Sequence, residues 1–234
     1  MSDEIEKRIT HWQASNLEAT GVWAERRRLA SAMRRVIDRL VVIDAPEDEV
    51  ALAADRLEQY ASHLETHPVS AKYAGFAETS PAGDTAAFFD QSPLIGLANP
   101  LAPPVTLQAD PDRRNVHGSV NFGSAYEGPP GCVHGGFVAA AFDEVLGFAN
   151  SLSGTPGMTA NLSVRYRKPT PLHTELRFEA RYDRSEGRKI WCSGDLYADD
   201  LLTASAEGLF IAIDPEKFRG LYEQRLRQHR ERET

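Results

Sequence analysis

A turn followed directly by an apolar helix contains the groups best suited to chemistry. The HGG triplet of His134, Gly135 and Gly136 ends a Gly- and Pro-rich turn. The apolar run after it contains two adjacent acids, Asp143 and Glu144. The first amides of a helix have no partner within the helix and lie at the positive end of its dipole, so Gly135 and Gly136 are suitable donors to a developing negative charge. Glycine also lets a ligand approach the backbone closely.

A carboxylate in the third turn of an apolar helix is costly unless water or hydrogen bonds stabilise it. We therefore expect Asp143 to line a cavity, where it can act as a general base or a nucleophile, with a structural, paired acid as the alternative. Glu144 lies about 100° further round the helix and is expected to point to solvent or to an arginine. His134 is expected to orient the turn rather than to transfer protons. A nucleophilic pair of Cys132 and His134 is not expected, because both belong to one tight turn.

Alternating apolar and polar residues after Asn115 predict half-buried strands. One strand precedes the buried helix and four follow it closely, so the sheet is expected to be mainly antiparallel. The inward-facing positions include Val116, Val120, Leu162, Val164, Tyr166, Leu176, Phe178, Ile190 and Cys192. The predicted fold class is α+β, a curved antiparallel sheet wrapped around a central helix within residues 115–214.

The rest of the chain divides into three segments. Apolar residues at three- and four-residue spacing predict a helix over about 20–43 and a second helix after Asp44, so residues 1–66 are expected to form an N-terminal helical hairpin. We expect it to pack on the sheet domain or at a subunit interface and to carry no chemistry. Residues 67–114 are a Pro- and Gly-rich connecting or wrapping segment, and residues 215–234 are a charged C-terminal helical tail.

Composition excludes several classes of function. Acidic residues outnumber basic ones by 34 to 26, and a net charge of −8 argues against a general nucleic-acid binder. The N-terminal stretch MSDEIEKRITHW is too charged for a secretory signal, and no apolar run is long enough to span a bilayer. We therefore expect a cytoplasmic protein without a membrane span. Its two cysteines, Cys132 and Cys192, are expected to be reduced thiols.

The stretches GPPGCVHGGFVAAAFDEVLG and MTANLSVRYRKPTPL resemble the hotdog-fold acyl-CoA thioesterases of the PaaI-like and THEM4-like branch. That family has an HGG turn at the start of its central helix, an acid nine positions after the histidine, and a Thr-Ala-Asn-Leu strand start. The resemblance covers roughly residues 115–213. It implies that Asp143 is the catalytic acid, that His134 has a positioning role near the thioester, and that Thr159 helps to place the attacking water or the acid.

Thioester hydrolysis needs donors for the oxyanion and a base or nucleophile, and the Gly135 amide and Asp143 suit these two roles. CoA enters only as part of the substrate and product, and no metal or other cofactor is expected. Its phosphates suit a group of basic residues on the strands and turns beyond the helix. The expected substrate-binding residues are Gly136, Asn161, Arg165, Lys168, Arg188 and Lys189, and Arg167 belongs to the same basic group.

Two other functions fit parts of this pattern. A dehydratase or hydratase of acyl thioesters would require a histidine base paired with an acid, and the HGG turn and the TANL strand count against it. A non-catalytic acyl-CoA-binding protein would bind a thioester without releasing CoA. The thioesterase interpretation also predicts shared sites, because Gly135 and Asp143 are separated by roughly 12 Å along one helix, too far to act on one carbonyl. We therefore expect a homodimer, or a dimer of dimers, with active sites formed by two chains.

Overall fold

The computed structural model describes residues 12–13, 18–68, 89–111, 114–155 and 157–212. Two helices, α1 (Val22–Leu40) and α2 (Glu47–Glu65), precede the first strands, β1 (Thr106–Ala109) and β2 (Asn115–Asn121). Helix α3 (Gly135–Ser151) follows, and then β3 (Gly157–Tyr166), β4 (Glu175–Glu186), β5 (Lys189–Ala198) and β6 (Leu201–Ala212). The predicted C-terminal tail, residues 215–234, lies outside the described residues. No helix in the described ranges is long and apolar enough to cross a membrane.

Within the described residues, six strands form one antiparallel sheet in the order β1-β2-β4-β5-β6-β3. Residues on β4 and β5 alternate between buried and more exposed positions over most of their length, as expected for strands with one face on a core. The inward face packs against α3, where Phe142 meets Phe178 of β4 edge to face at a centroid distance of 5.1 Å. This curved sheet around a central helix confirms the predicted α+β class.

Strand β1 lies within the segment that was predicted to be an irregular connection. It pairs with β2, and its Leu107 lies opposite Gly118, where an added Cβ would come within 3.1 Å of the leucine side chain. The strand has only four residues and one buried position, so its alternation is too short to be recognised in the sequence. The sheet therefore has one strand more than the sequence predicted.

The two N-terminal helices differ in how they contact the rest of the protein. Helix α1 packs on residues 89–105, here called the strap: Arg34 donates to the carbonyl oxygens of Leu97 and Asn99 at 3.2 and 2.9 Å. Helix α2 has no buried residue, and its apolar residues Val50, Leu52, Leu57 and Leu64 are exposed. The described part of one chain therefore buries no residue of α2, and burial of its apolar stripe at a subunit interface stays a prediction, because such a stripe shows that a helix can be buried but not which surface buries it.

A buried ion pair fastens α1 to the strap. The Asp90 side chain is completely buried, and Arg27 Nε lies 3.0 Å from both of its carboxylate oxygens. Arg27→Ala leaves a buried carboxylate without this partner, and we expect it to lower the free energy of unfolding by about 3–5 kcal/mol, measured by denaturant titration.

An exposed arginine on the same helix gives a matched control. Arg28 pairs with Glu25, and the two side chains are 80% and 64% exposed. Arg28→Ala should therefore change the unfolding free energy by less than about 1 kcal/mol. Equal effects of the two substitutions would contradict a structural role for the buried pair.

Candidate active site

A short, well-defined turn places the start of α3. Glu127 pairs with Val133 across the turn, and the Glu127 carboxylate accepts a hydrogen bond from the Gly131 amide at 2.7 Å. Gly131 has φ of 72°, a conformation that favours glycine. At Gly128 an added Cβ would lie 2.7 Å from the Cα of His134, so only glycine fits without a shift of the backbone. These constraints fix the position of His134 at the end of the turn.

His134 caps the N-terminus of α3. Its Nδ1 accepts a hydrogen bond from the Gly136 amide at 3.0 Å, and its own amide donates to the Tyr126 carbonyl oxygen at 2.8 Å. Nδ1 must be unprotonated to accept this bond, so neutral His134 carries its proton on Nε2. The capping bond supports the predicted orienting role. It also means that the Gly136 amide is already engaged within the protein.

The Gly135 amide is the free donor at this helix start. Gly135 is the first residue of α3, and its N–H makes no hydrogen bond to any described residue. Its carbonyl oxygen accepts a hydrogen bond from the Tyr166 hydroxyl at 2.8 Å. Of the two glycines, Gly135 is therefore the one with an amide available to a ligand. Cys132 takes no part in the helix cap, because its thiol lies against the Pro130 carbonyl oxygen at 3.6 Å.

Tyr166 was predicted from strand alternation to face the core, and this prediction is wrong. The residue is 54% exposed, and it reaches across the end of β3 to the carbonyl of Gly135. A tyrosine needs a hydrogen-bond partner for its hydroxyl, which is a reason to expect it at the edge of a core rather than inside. The alternation of residues within β3 does not reveal the exposure of Tyr166, because that exposure comes from the position of β3 at the edge of the described sheet.

Asp143 and Thr159 form the second half of the site. The Thr159 hydroxyl donates a hydrogen bond of 2.8 Å to Oδ1 of Asp143, and both residues are exposed. The register of β3 against β6 shifts between Thr159 and Asn161, a β-bulge that leaves Ala160 without a partner. Bulges re-aim side chains and are frequent near active sites. The Asp143 carboxylate thus lies at an open surface, held at one oxygen, as a general base or nucleophile requires.

Glu144 does not point to solvent or to an arginine, so that prediction is wrong. Its side chain is half-buried, and its Oε1 accepts a hydrogen bond from the Ser92 hydroxyl at 2.9 Å. Burial raises the pKa of Glu144 to about 7, against a smaller lowering by the Ser92 hydrogen bond and with a further rise from the Asp143 charge. The sequence gives no signal for this contact, because Ser92 lies in the strap, a segment without periodicity.

The predicted basic residues are exposed, but they do not form one cluster within a chain. Lys189 of β5 pairs with Ile211 of β6, and Ile211 pairs on its other side with Met158 of β3. Arg165 of β3 pairs instead with Ser205 of β6. Six residues of β6 separate these two positions, roughly 20 Å. Arg188 and Lys189 therefore lie near one end of β3. Arg165, Arg167 and Lys168 lie at the other end, and Asn161 is exposed between them, just after the bulge.

The curved antiparallel sheet around α3 defines a hotdog-fold domain. Its candidate site consists of the capped start of α3 and the exposed Asp143, and it is open along β3, at the edge of the described sheet. A sequence model described as "Thioesterase superfamily" matches residues 130–205. The crystal structure of protein RHA08564, a thioesterase superfamily protein, is 37% identical, with a TM-score of 0.68 over 80% of this chain and 94% of that chain. The chain belongs to the thioesterase superfamily.

Curated relatives match a smaller region. Acyl-coenzyme A thioesterase THEM4 of Bos taurus is 39% identical over 97 residues, which is 41% of this chain and 40% of that relative. Acyl-coenzyme A thioesterase THEM5 of Homo sapiens is 31% identical over 97 residues, 41% of this chain and 39% of that relative. The chain thus spans about two fifths of the length of the curated relatives that it matches.

Proposed function

We propose that the protein is an acyl-CoA thioesterase, which hydrolyses an acyl-CoA thioester to the free acid and CoA. One observation carries the proposal: α3 offers an unpaired amide at Gly135 and an exposed carboxylate at Asp143 that Thr159 holds in place. The relatives THEM4 and THEM5 are named acyl-coenzyme A thioesterases, which supports the same reaction. CoA enters as part of the substrate.

Two mechanisms are compatible with this geometry. As a general base, Asp143 takes a proton from water while the hydroxide adds to the thioester carbonyl, and CoA thiolate leaves and is protonated. As a nucleophile, its carboxylate attacks the carbonyl and expels CoA thiolate, and water then hydrolyses the mixed anhydride. In both cases the carbonyl oxygen becomes negative and needs a donor, for which the Gly135 amide is placed at a helix N-terminus. Thr159 holds Oδ1, which leaves Oδ2 for the reaction.

The test of the reaction is release of free CoA thiol, measured with a thiol-reactive dye over acyl-CoAs of different chain length and with aromatic acyl groups. We expect release with at least one class of acyl group. Binding of acyl-CoA without release would instead indicate an acyl-CoA-binding protein, and a change in the acyl group without release would indicate a hydratase or dehydratase.

We also propose that each site is formed by two chains. Gly135 and Asp143 are eight residues apart on α3, roughly 12 Å, so one chain cannot bring both to one carbonyl. The outer edge of β3 pairs with no described strand, and β3 carries exposed residues along most of its length. A two-fold axis beside this edge would set Asp143 opposite the partner subunit's Gly135, and the site would then recur twice in each dimer.

The same axis would bring the divided basic residues together. Within one chain, Asp143 is tied to Thr159 and Gly135 to Tyr166, so opposing the two helices also opposes the two ends of β3. Lys168 would then approach the partner subunit's Lys189, and the pair would suit the phosphates of CoA. We expect Lys168→Glu and Lys189→Glu each to raise KM about tenfold while kcat changes little; an unchanged KM in both variants would contradict a phosphate-binding role.

A further inference from the structure

The strap presents one hydroxyl to the helix that carries the catalytic acid. Ser92 Oγ accepts hydrogen bonds from the amides of Leu94 and Ile95, at 3.2 and 3.3 Å. Its single proton is therefore left for Oε1 of Glu144, 2.9 Å away. Ser92 is only 7% exposed, so little water competes for this bond. The direction of the bond is fixed, with serine as donor and glutamate as acceptor.

The turn that carries Ser92 is itself held rigidly. Its neighbour Asp90 is bound to Arg27 of α1, and the Asp90 carbonyl oxygen accepts from the Ala98 amide at 2.8 Å. At Gly96 an added Cβ would lie 2.5 Å from the carbonyl oxygens of Asp90 and Ser92, so the turn is packed against its own backbone. The Ser92 hydroxyl is thus delivered to α3 at a fixed point.

Glu144 and Asp143 are neighbours on α3, and each is held from a different side. The Thr159 hydroxyl of β3 binds Asp143, and the Ser92 hydroxyl of the strap binds Glu144. Burial is the main cause of the raised pKa of Glu144, and the groups that also act on it are Ser92 and Asp143; Asp90, the one acid of the strap, is paired with Arg27. A change of charge on Glu144 therefore acts electrostatically mainly on Asp143.

This inference rests on the proposed hydrolase function. We propose that Glu144 is a positioning residue for the hydrolysis: its bond to Ser92 holds the third turn of α3 in the orientation in which Asp143 meets Thr159, and its charge acts on the neighbouring Asp143 carboxylate as the reaction moves negative charge away from it. The strap, which lies outside residues 130–205 that match the family model, would then be part of the catalytic apparatus rather than a covering segment.

The sign of the charge effect follows from where the reaction moves negative charge. Asp143 is negative at the start, and at the transition state that charge has passed to the carbonyl oxygen near a Gly135 amide. In the proposed two-chain site that oxygen lies against the Gly135 amide, so we expect Glu144, which is adjacent to Asp143, to be further from it. An ionised Glu144 therefore repels the initial charge more than the final one, which favours the reaction. Activity should rise as Glu144 loses its proton, near the value of about 7 to which burial raises its pKa.

The experiment is a pH profile of kcat and KM, from about pH 5.5 to 8.5, by CoA release. For wild type we expect kcat to rise about fivefold through a step near pH 7. In Glu144→Gln, where the amide oxygen can still accept from Ser92, the step should disappear, kcat above pH 8 should be about fivefold lower, and KM should be unchanged. Ser92→Ala removes a bond that lowers the pKa of Glu144, so its step should move to higher pH. Glu175→Gln, an exposed glutamate on β4, should keep the wild-type profile.

The outcomes separate this inference from the function on which it rests. If both Glu144→Gln and Ser92→Ala release CoA with the same step near pH 7, the role proposed for Glu144 is overturned. The proposed hydrolase function would stand. A uniform loss of kcat at every pH, together with a lower melting temperature, would reduce Glu144 to a structural residue and would also overturn the inference. If wild type releases no CoA at any pH, the proposed function fails and this inference fails with it.

Discussion

Asp143→Asn should lower kcat for acyl-CoA hydrolysis by about 100-fold or more, the usual scale for removal of a general base. Asparagine has nearly the same shape as aspartate, and its amide oxygen can still accept the hydrogen bond from Thr159. The substitution therefore removes the negative charge and the nucleophilic oxygen while it keeps the local structure. Because Asp143 is exposed, the loss of charge should affect the free energy of unfolding little, and substrate binding should survive.

The measurement is steady-state release of CoA, with binding of acyl-CoA followed separately by calorimetry. Asp200→Asn is a suitable control, because it makes the same chemical change at an exposed position in the turn between β5 and β6. It should behave as wild type. If Asp143→Asn hydrolyses acyl-CoA at nearly the wild-type rate, Asp143 has neither of the two roles given to it.

The parts of the site that the sequence predicts are those with a local cause. A turn rich in glycine and proline before an apolar run predicts a helix start, and the geometry at His134 and Gly135 follows from that position alone. Asp143 is recognisable because a carboxylate within an apolar helix is costly unless water or a hydrogen-bond partner stabilises it. Each of these inferences uses residues within one or two turns of chain, so no knowledge of the tertiary fold is needed.

The parts that the sequence does not predict depend on which distant segments meet. Glu144 was expected to point to solvent or to an arginine because helical geometry gives only its angle from Asp143, and Ser92 of the strap, which binds it, is 52 residues away. Tyr166 follows the alternation of β3, but its environment is set by the end of the sheet. The basic residues look like one group because they share a charge, although strand register separates them. Tertiary context overrides the local pattern in all three cases.

The second large effect is recovery of activity when two inactive variants are mixed. Asp143→Asn lacks the acid, and Gly135→Pro lacks the amide donor. Proline suits this position, because the N–H of the first residue of a helix makes no intrahelical hydrogen bond. In addition, His134 already has an extended backbone, with φ and ψ of −60° and 130°, as a residue before proline prefers. Gly135→Ala is the matched control: it keeps the N–H and adds a Cβ at 3.4 Å from Tyr166, an ordinary contact, so it should lose much less activity than the proline variant.

The two inactive variants are mixed in equal amounts after folding and subunit exchange have been confirmed. About half of the dimers are then mixed. If Asp143 of one chain acts with the Gly135 amide of its partner, each mixed dimer has one intact site, whereas its other site carries both substitutions. Half of the dimers with half of their sites gives about a quarter of the wild-type activity. If each site were built within one chain, every site in the mixture would lack either the acid or the amide, and mixing would restore nothing. Recovery therefore depends on the two-fold arrangement, which the separation of Gly135 and Asp143 along α3 requires if both act on one carbonyl.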